Sequence, residues 1–278
     1  MTESSGSIHG DLAFYIKRLR VPRLGQHLDR ITRQAAEEDW SYEAFLTALL
    51  ETEVFARDQT ALERRIKKAR FPNRSKTLES FDFSYQTSVR KQVMLHLASL
   101  RFVELGHNVI FLGPPGTGKT HPSIALGLKA CHAGYAVLFL SAVEMITQLL
   151  DAQDKGELSK ALAPLFKPDL LIVDEVGYIP FGRPAANLFF QVVTGRYEAG
   201  STIITSNRAF SGWGEIFGGD VVVAAAMIDR LVHHAEIISL KGASYRLKGK
   251  EGFVDDHVSP HRSDWLESSG SKATPSTP

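Results

Sequence analysis

Eight residues limit what this chain can fold into more than any other feature. Gly113-Pro-Pro-Gly-Thr-Gly-Lys119-Thr120 follows the short apolar run "NVIFLG" at 108–113 and precedes a helical pattern reaching about Ala133. This is G-x-x-x-x-G-K-[ST] in the strand–loop–helix setting that gives the motif its meaning. The glycines let backbone N–H groups close around phosphates, and the helix N-terminus adds positive partial charge. Gly113, Pro114, Pro115, Gly116, Thr117, Gly118, Lys119, Thr120 and His121 are therefore the candidate ATP-binding set. Lys119 is placed to reach the β and γ phosphates, and Thr120 to ligate Mg²⁺.

A loop of this kind needs a buried strand before it, and the chain supplies partners for that strand. "AVLFLS" (136–141), "LLIVDE" (170–175), "STIITSN" (201–207) and "EIISL" (236–240) are apolar runs separated by helical patterns. Apolar strands alternating with helices predict an α/β fold, a mainly parallel five-stranded sheet flanked by helices. Asp174 stands at the end of the third strand, where a carboxylate holds Mg²⁺ beside a phosphate loop. Glu175 follows it, placed to polarise a water that attacks the γ phosphate. Asn207 ends the fourth strand. If that strand lies between those carrying Thr120 and Glu175, Asn207 orients the lytic water; otherwise it is a turn-forming residue.

Ahead of the sheet, residues 11–75 read as a small all-helical domain, with Leu46, Leu49, Leu50 and Val54 at helical spacing. Pro72 and Asn73 break the pattern, which places the ATPase domain at 76–252. Residues 1–10 and the Ser/Pro/Thr-rich stretch 253–278 read as disordered. The start of the chain lacks the layout of a signal peptide and no apolar run is long enough to span a bilayer, so a cytoplasmic location is expected. Cys131 is the only cysteine, which excludes an intramolecular disulfide or a thiolate zinc cluster.

The net charge is only +1, so any contact with nucleic acid depends on local clusters. "RRIKKARFPNRSK" concentrates Arg64, Arg65, Lys67, Lys68, Arg70, Arg74 and Lys76 at a helix end and linker. Such a cluster either binds DNA phosphates without reading sequence or is a solvated helix end. Lys241, Arg246, Lys248 and Lys250 are a smaller group that extends the same surface. Arg230, on a helix after the fourth strand, either completes a neighbouring subunit's site as an arginine finger or makes a local salt bridge. Arg208 reads as a surface or subunit-contact residue. His233 and His234, adjacent on a helical pattern, are expected to point apart and make a poor metal pair.

Taken together, "GPPGTGKTH", "LLIVDEVGYIPF", "ANLFFQVVTGRYEAGSTIITSNRAFSGWGEIFG" and "AAAMIDRLVHHAEIISLKGASYRLK" resemble the IstB-type transposition helper ATPases of bacterial insertion sequences. "LRVPRL" and "SFDF" in the front part are similar too, so the resemblance spans roughly residues 11–250. It implies an AAA+ ATPase, akin to DnaC-type helicase loaders and the initiator DnaA, without a C-terminal helical lid domain. It implies that the Asn207 strand lies between the other two site strands, that Asn207 is the sensor and that Arg230 is the trans-acting finger. It also implies ATP-dependent homo-oligomers on double-stranded DNA and a partner transposase. A helicase loader and an ATP-gated DNA-binding switch with little hydrolysis are the alternative functions. One departure stands inside the motif region: Pro122 occupies a position where relatives usually carry Leu. A proline near the helix start costs at most one backbone bond plus some apolar packing, so ATP binding is expected to survive in weakened form.

Overall fold

The computed structural model describes residues 4–248. Three helices lead the chain: α1 (Ser4–Leu19), α2 (Pro22–Glu37) and the long α3 (Tyr42–Ala69). Helix α1 begins at Ser4, so the disorder expected for residues 1–10 does not extend through them. Pro22 stands in the first turn of α2, where its missing N–H is no loss. Ser41 caps α3 by accepting a hydrogen bond from the Ala44 amide at 3.2 Å. Helix α2 packs on the first half of α3, with Ile31 and Leu49 buried. Of the apolar stripe on α3, only Leu49 is covered; Leu46, Leu50 and Val54 are exposed.

Next come α4 (Lys91–Leu97), α5 (Arg101–Glu104), β1 (Asn108–Leu112), α6 (Thr120–His132), β2 (Val137–Ser141), α7 (Ala142–Asp154) and α8 (Leu158–Phe166). They are followed by β3 (Leu170–Val176), α9 (Arg183–Arg196), β4 (Ser201–Ser206), α10 (Trp213–Ile216), α11 (Val221–Val232) and β5 (Ala235–Ser239). All five strands are parallel, in the order β2-β3-β4-β1-β5. The arrangement implied by the resemblance is therefore observed, with β4 between β1 and β3. After β5 the described residues hold one short 3₁₀ turn, Tyr245–Leu247. Lys250 and the stretch 253–278 lie outside the described residues. Among the described residues, no helix is long and apolar enough to cross a membrane.

Strands β1 to β4 are largely buried on both faces, whereas the edge strand β5 exposes Glu236, Ile237 and Ser239; alternate residues feed two cores. Ile110, Leu171, Val173 and Ile204 point into one, which α7, α9 and α11 cover. Val109, Phe111, Ile172 and Ile203 point into the other, against α6. The second core also contains Ala69 and Phe71, and Leu62 and Ile66 pack on it. Arg65 ties the same helix to α6 by donating to the Cys131 carbonyl at 3.0 Å. The break at Pro72 thus does not separate two packing units: α3 starts in the helical front and ends inside the sheet's own core.

Candidate nucleotide-binding site

The glycine-rich loop springs from the buried end of β1 and is pinned to the neighbouring strand, the Gly113 amide donating to the Ser206 carbonyl at 3.1 Å. Gly116 has a φ of 80°, in the left-handed region, and a side chain there would occupy the place of the Ser244 hydroxyl. Lys119 folds back over the loop, its ammonium donating to the carbonyls of Gly113 (2.7 Å) and Pro114 (2.8 Å). Burial is the main cause that lowers its pKa to about 8, against the pull of Asp174 and Glu175. Thr117 is buried under the loop and donates to the Pro114 carbonyl. His121 lines the cleft, and its ring contacts the Thr77 carbonyl and the Ser80 hydroxyl; burial moves its pKa downward, favouring the neutral ring.

The acid pair is shaped by an irregularity in the sheet. Val173 pairs with Ile204 and Val176 with Ser206, so Asp174 and Glu175 together face the single residue Thr205. Glu175 takes a φ of 62° at this bulge, a strained conformation that costs a non-glycine residue on the order of 1–3 kcal/mol. In a regular strand two adjacent side chains would point to opposite faces; here both line the same cleft. Asp174 is buried and accepts from the Thr120 hydroxyl at 3.0 Å and from the Thr205 hydroxyl at 2.5 Å. Its burial raises its pKa, opposed by those two hydrogen bonds. Thr205 also accepts from the Glu175 amide at 2.9 Å, which holds the bulge in register. Glu175 is left exposed to the cleft.

One cleft of about 350 Å³ therefore collects Pro115, Gly116, Gly118, Lys119, Thr120, His121, Asp174, Glu175 and Asn207. The Asn207 Oδ1 is buried and has no hydrogen-bond partner among the described residues, a state that buried acceptors rarely keep without a bound group or water. The donor set fits MgATP: a hydroxyl and a carboxylate for a hard cation, a buried ammonium for phosphate oxygens. Arg230 is not in this cleft. It lines a recess with Asn108 and Glu198, at the opposite end of the strands.

Five residues of the cleft escape the motif reading: Lys76, Tyr178, Thr205, Tyr245 and Arg246. Thr205 is signalled only as a polar residue inside an apolar strand. Lys76 and Arg246 belong by sequence to the two basic clusters, yet both line the nucleotide cleft. Arg246 is brought there by the 3₁₀ turn docking on the loop: the Tyr245 amide donates to the Gly116 carbonyl at 2.9 Å, and Tyr85 donates to the Ser244 carbonyl at 3.2 Å. Lys248 pairs with Asp82 at 2.6 Å. The smaller basic group is therefore not one open surface. Within the larger cluster, Arg65 is spent on the Cys131 carbonyl, while Arg64, Lys67, Lys68, Arg70 and Arg74 stay exposed.

Pro122 turns out to be the third residue of α6, and it is buried. Its missing N–H is among the first four, which have no intrahelical acceptor, so no backbone bond is lost. The backbone part of the weakening expected from the sequence disappears. Pro122→Leu should accordingly change ATP affinity by less than about fivefold, the small effect of a first-turn proline. Calorimetric titration of both proteins checks this; a gain of tenfold or more in the variant would show that the proline distorts the loop.

The comparisons with known proteins agree with this geometry. The family model for IstB-like ATP binding proteins matches residues 15–252. A protein ascribed to insertion sequence IS21 of Pseudomonas aeruginosa as its ATP-binding protein is 43% identical over 262 residues, covering 94% of this chain and 98% of its own length. The corresponding protein ascribed to IS5376 of Geobacillus stearothermophilus is 41% identical over 236 residues, covering 85% and 93%. Among solved structures, DnaI aligns with a TM-score of 0.50 at 20% identity, over 63% of this chain and 94% of that one. AMPPCP-bound DnaA from Aquifex aeolicus aligns with a TM-score of 0.50 at 22% identity, over 64% of this chain and 54% of that one. At these identities the structural matches show the fold alone, a parallel five-stranded sheet flanked by helices.

Proposed function

The chain belongs to the family of IstB-like ATP-binding proteins, and from that premise we propose that it is an ATP-hydrolysing transposition helper. In this reading it assembles with further copies of itself on double-stranded DNA and assists the transposase of the same element. The observation that carries the reading is the convergence of Lys119, Thr120, Asp174, Glu175 and Asn207 on one cleft while Arg230 stands outside it.

Each role follows from chemistry. Lys119 exchanges the Gly113 and Pro114 carbonyls for phosphate oxygens when ATP enters. Thr120 and Asp174 would hold Mg²⁺, which when bound offsets charge on the β and γ phosphate oxygens. Glu175 accepts a proton from water as the water oxygen bonds to the γ phosphorus. The bond from that phosphorus to the β–γ bridging oxygen breaks, and ADP leaves. Asn207 orients the same water, and Arg246 adds a second cation in cis. Arg230 supplies charge to the cleft of an adjoining subunit.

Arg64, Lys67, Lys68, Arg70 and Arg74 are the exposed cations assigned to the DNA backbone. Replacing Arg64, Lys67 and Lys68 by Ala should weaken duplex binding alike on every sequence. It should also lower the salt slope by about 0.9 for each phosphate that the protein no longer neutralises. Fluorescence anisotropy of a labelled duplex across a salt series reads both effects. With ATP in place of ADP, the native protein should bind the duplex more tightly and recruit the transposase to it. Equal binding with both nucleotides and an unchanged salt slope in the variant would contradict the proposal.

A further inference from the structure

A second cluster of ligand-type side chains lies away from the nucleotide cleft. Glu198, His233 and His234 are all exposed, and each offers one ligating atom within 4.8 Å of the other two. Neighbouring histidines inside a helix would diverge, but α11 ends at Val232. His234 falls in the turn beyond it, and the two rings come side by side with centroids 4.1 Å apart. The sequence expectation that these rings point apart is therefore wrong, because the helix stops between the pattern and the pair. Glu198 arrives from the loop between α9 and β4, held at a φ of 56°.

The geometry points to a binding site for a divalent transition metal of the zinc class, ligated by Glu198, His233 and His234. Two imidazoles and a carboxylate form a borderline donor set that suits such ions better than Mg²⁺ or Ca²⁺. Ligating atoms in a tetrahedral zinc site sit roughly 3.3 Å apart, given metal–ligand bonds near 2.0–2.2 Å. Exposed side chains close that remaining gap by small rotations. The surroundings already provide support: the Tyr197 hydroxyl lies 2.9 Å from the His233 Nδ1, and His107 stacks on His234 with ring centroids 4.9 Å apart. Such outer contacts fix the orientation of ligating rings. Three protein ligands leave one position for water. The only thiol, Cys131, is buried, with its pKa pushed up to about 11 by burial, and it takes no part.

The site is at the amino ends of the strands, beside Asn108 and Arg230, and a five-residue strand separates it from the nucleotide cleft by roughly 16 Å. A bound ion would cross-link the α9–β4 loop to the end of α11, the helix that carries Arg230. The inference is independent of the function proposed above, since metal binding can be measured without nucleotide or DNA.

The test uses the full chain with excess Mg²⁺ present to occupy hard oxygen sites. Zn²⁺ is titrated in competition with a chromogenic chelator, and Co²⁺ is used as a spectroscopic probe. The native protein should bind one Zn²⁺ and give the visible Co²⁺ bands of a four-coordinate site. His233→Ala, His234→Ala and Glu198→Gln should each weaken binding by about 100-fold or more, since removing even outer contacts costs 10–100-fold. His96→Ala, at an exposed histidine elsewhere, should bind like the native protein. Circular dichroism establishes that each variant is folded. Native protein that binds no Zn²⁺, or the same affinity in native and His233→Ala/His234→Ala double-variant proteins, would overturn the assignment.

Discussion

Glu175→Gln is expected to lower ATP turnover by about 10²–10⁴-fold, the range a positioned general base supplies. The amide keeps the size of the carboxylate but cannot take a proton from the attacking water. Nucleotide binding should survive, because among the described residues the Glu175 side chain makes no hydrogen bond or ion pair with Lys119, Thr120 or Asp174, and its backbone amide still donates to Thr205. The variant should therefore assemble with ATP as the native protein does and remain assembled for longer. Single-turnover hydrolysis and light scattering on the same samples separate the two properties. If native and variant proteins hydrolyse ATP at the same rate, the protein is a nucleotide-gated switch and Glu175 is not its base.

Arg230→Ala should cost still more, about 10³–10⁵-fold in turnover, the contribution of an arginine finger supplied in trans. The side chain is held ready without being neutralised. One Nη1 donates to the Ala226 carbonyl at 3.0 Å, and the guanidinium lies 5.1 Å above the Phe190 ring. Among the described residues no carboxylate pairs with it, so the salt-bridge alternative has no partner. Since Arg230 is at the other end of the strands from its own cleft, the variant should bind ATP normally. A mixing experiment makes the trans role visible. Subunits carrying Arg230→Ala keep an intact Glu175, and subunits carrying Glu175→Gln keep an intact finger. Mixed, they should recover part of the native rate through junctions where a good cleft meets a good finger. No recovery on mixing, together with native turnover by Arg230→Ala alone, would remove the finger assignment.

What could be read from the sequence and what could not divide along a physical line. The phosphate loop, the five strands and the acid pair are local patterns: apolar runs of strand length, and a loop whose glycines are spaced by backbone need. Asp174, Glu175 and Asn207 were legible because each ends such a run. The bulge that turns Asp174 and Glu175 into one cleft was not, since it arises from pairing with Thr205 on another strand. Arg246 looked like a surface cation because nothing local marks it; it enters the cleft through Tyr245 and Gly116, far apart in the chain. Lys76 was hidden inside a charge run for the same reason. Nothing local showed that Pro72 ends a helix without ending a core: Ala69 and Phe71 are buried with the sheet. The divergence expected of His233 and His234 failed because α11 ends at Val232, and helix ends shift by one or two residues against any periodic pattern.

The central claim is that this cleft hydrolyses ATP within an assembly that DNA promotes. Steady-state phosphate release, measured with and without duplex DNA while oligomer size is followed by light scattering, tests it most directly. The account predicts slow release by the free protein, a larger assembly with ATP than with ADP, and faster release once duplex is added. Release that DNA leaves unchanged, from a protein whose size is the same with ATP, with ADP and without nucleotide, would contradict it.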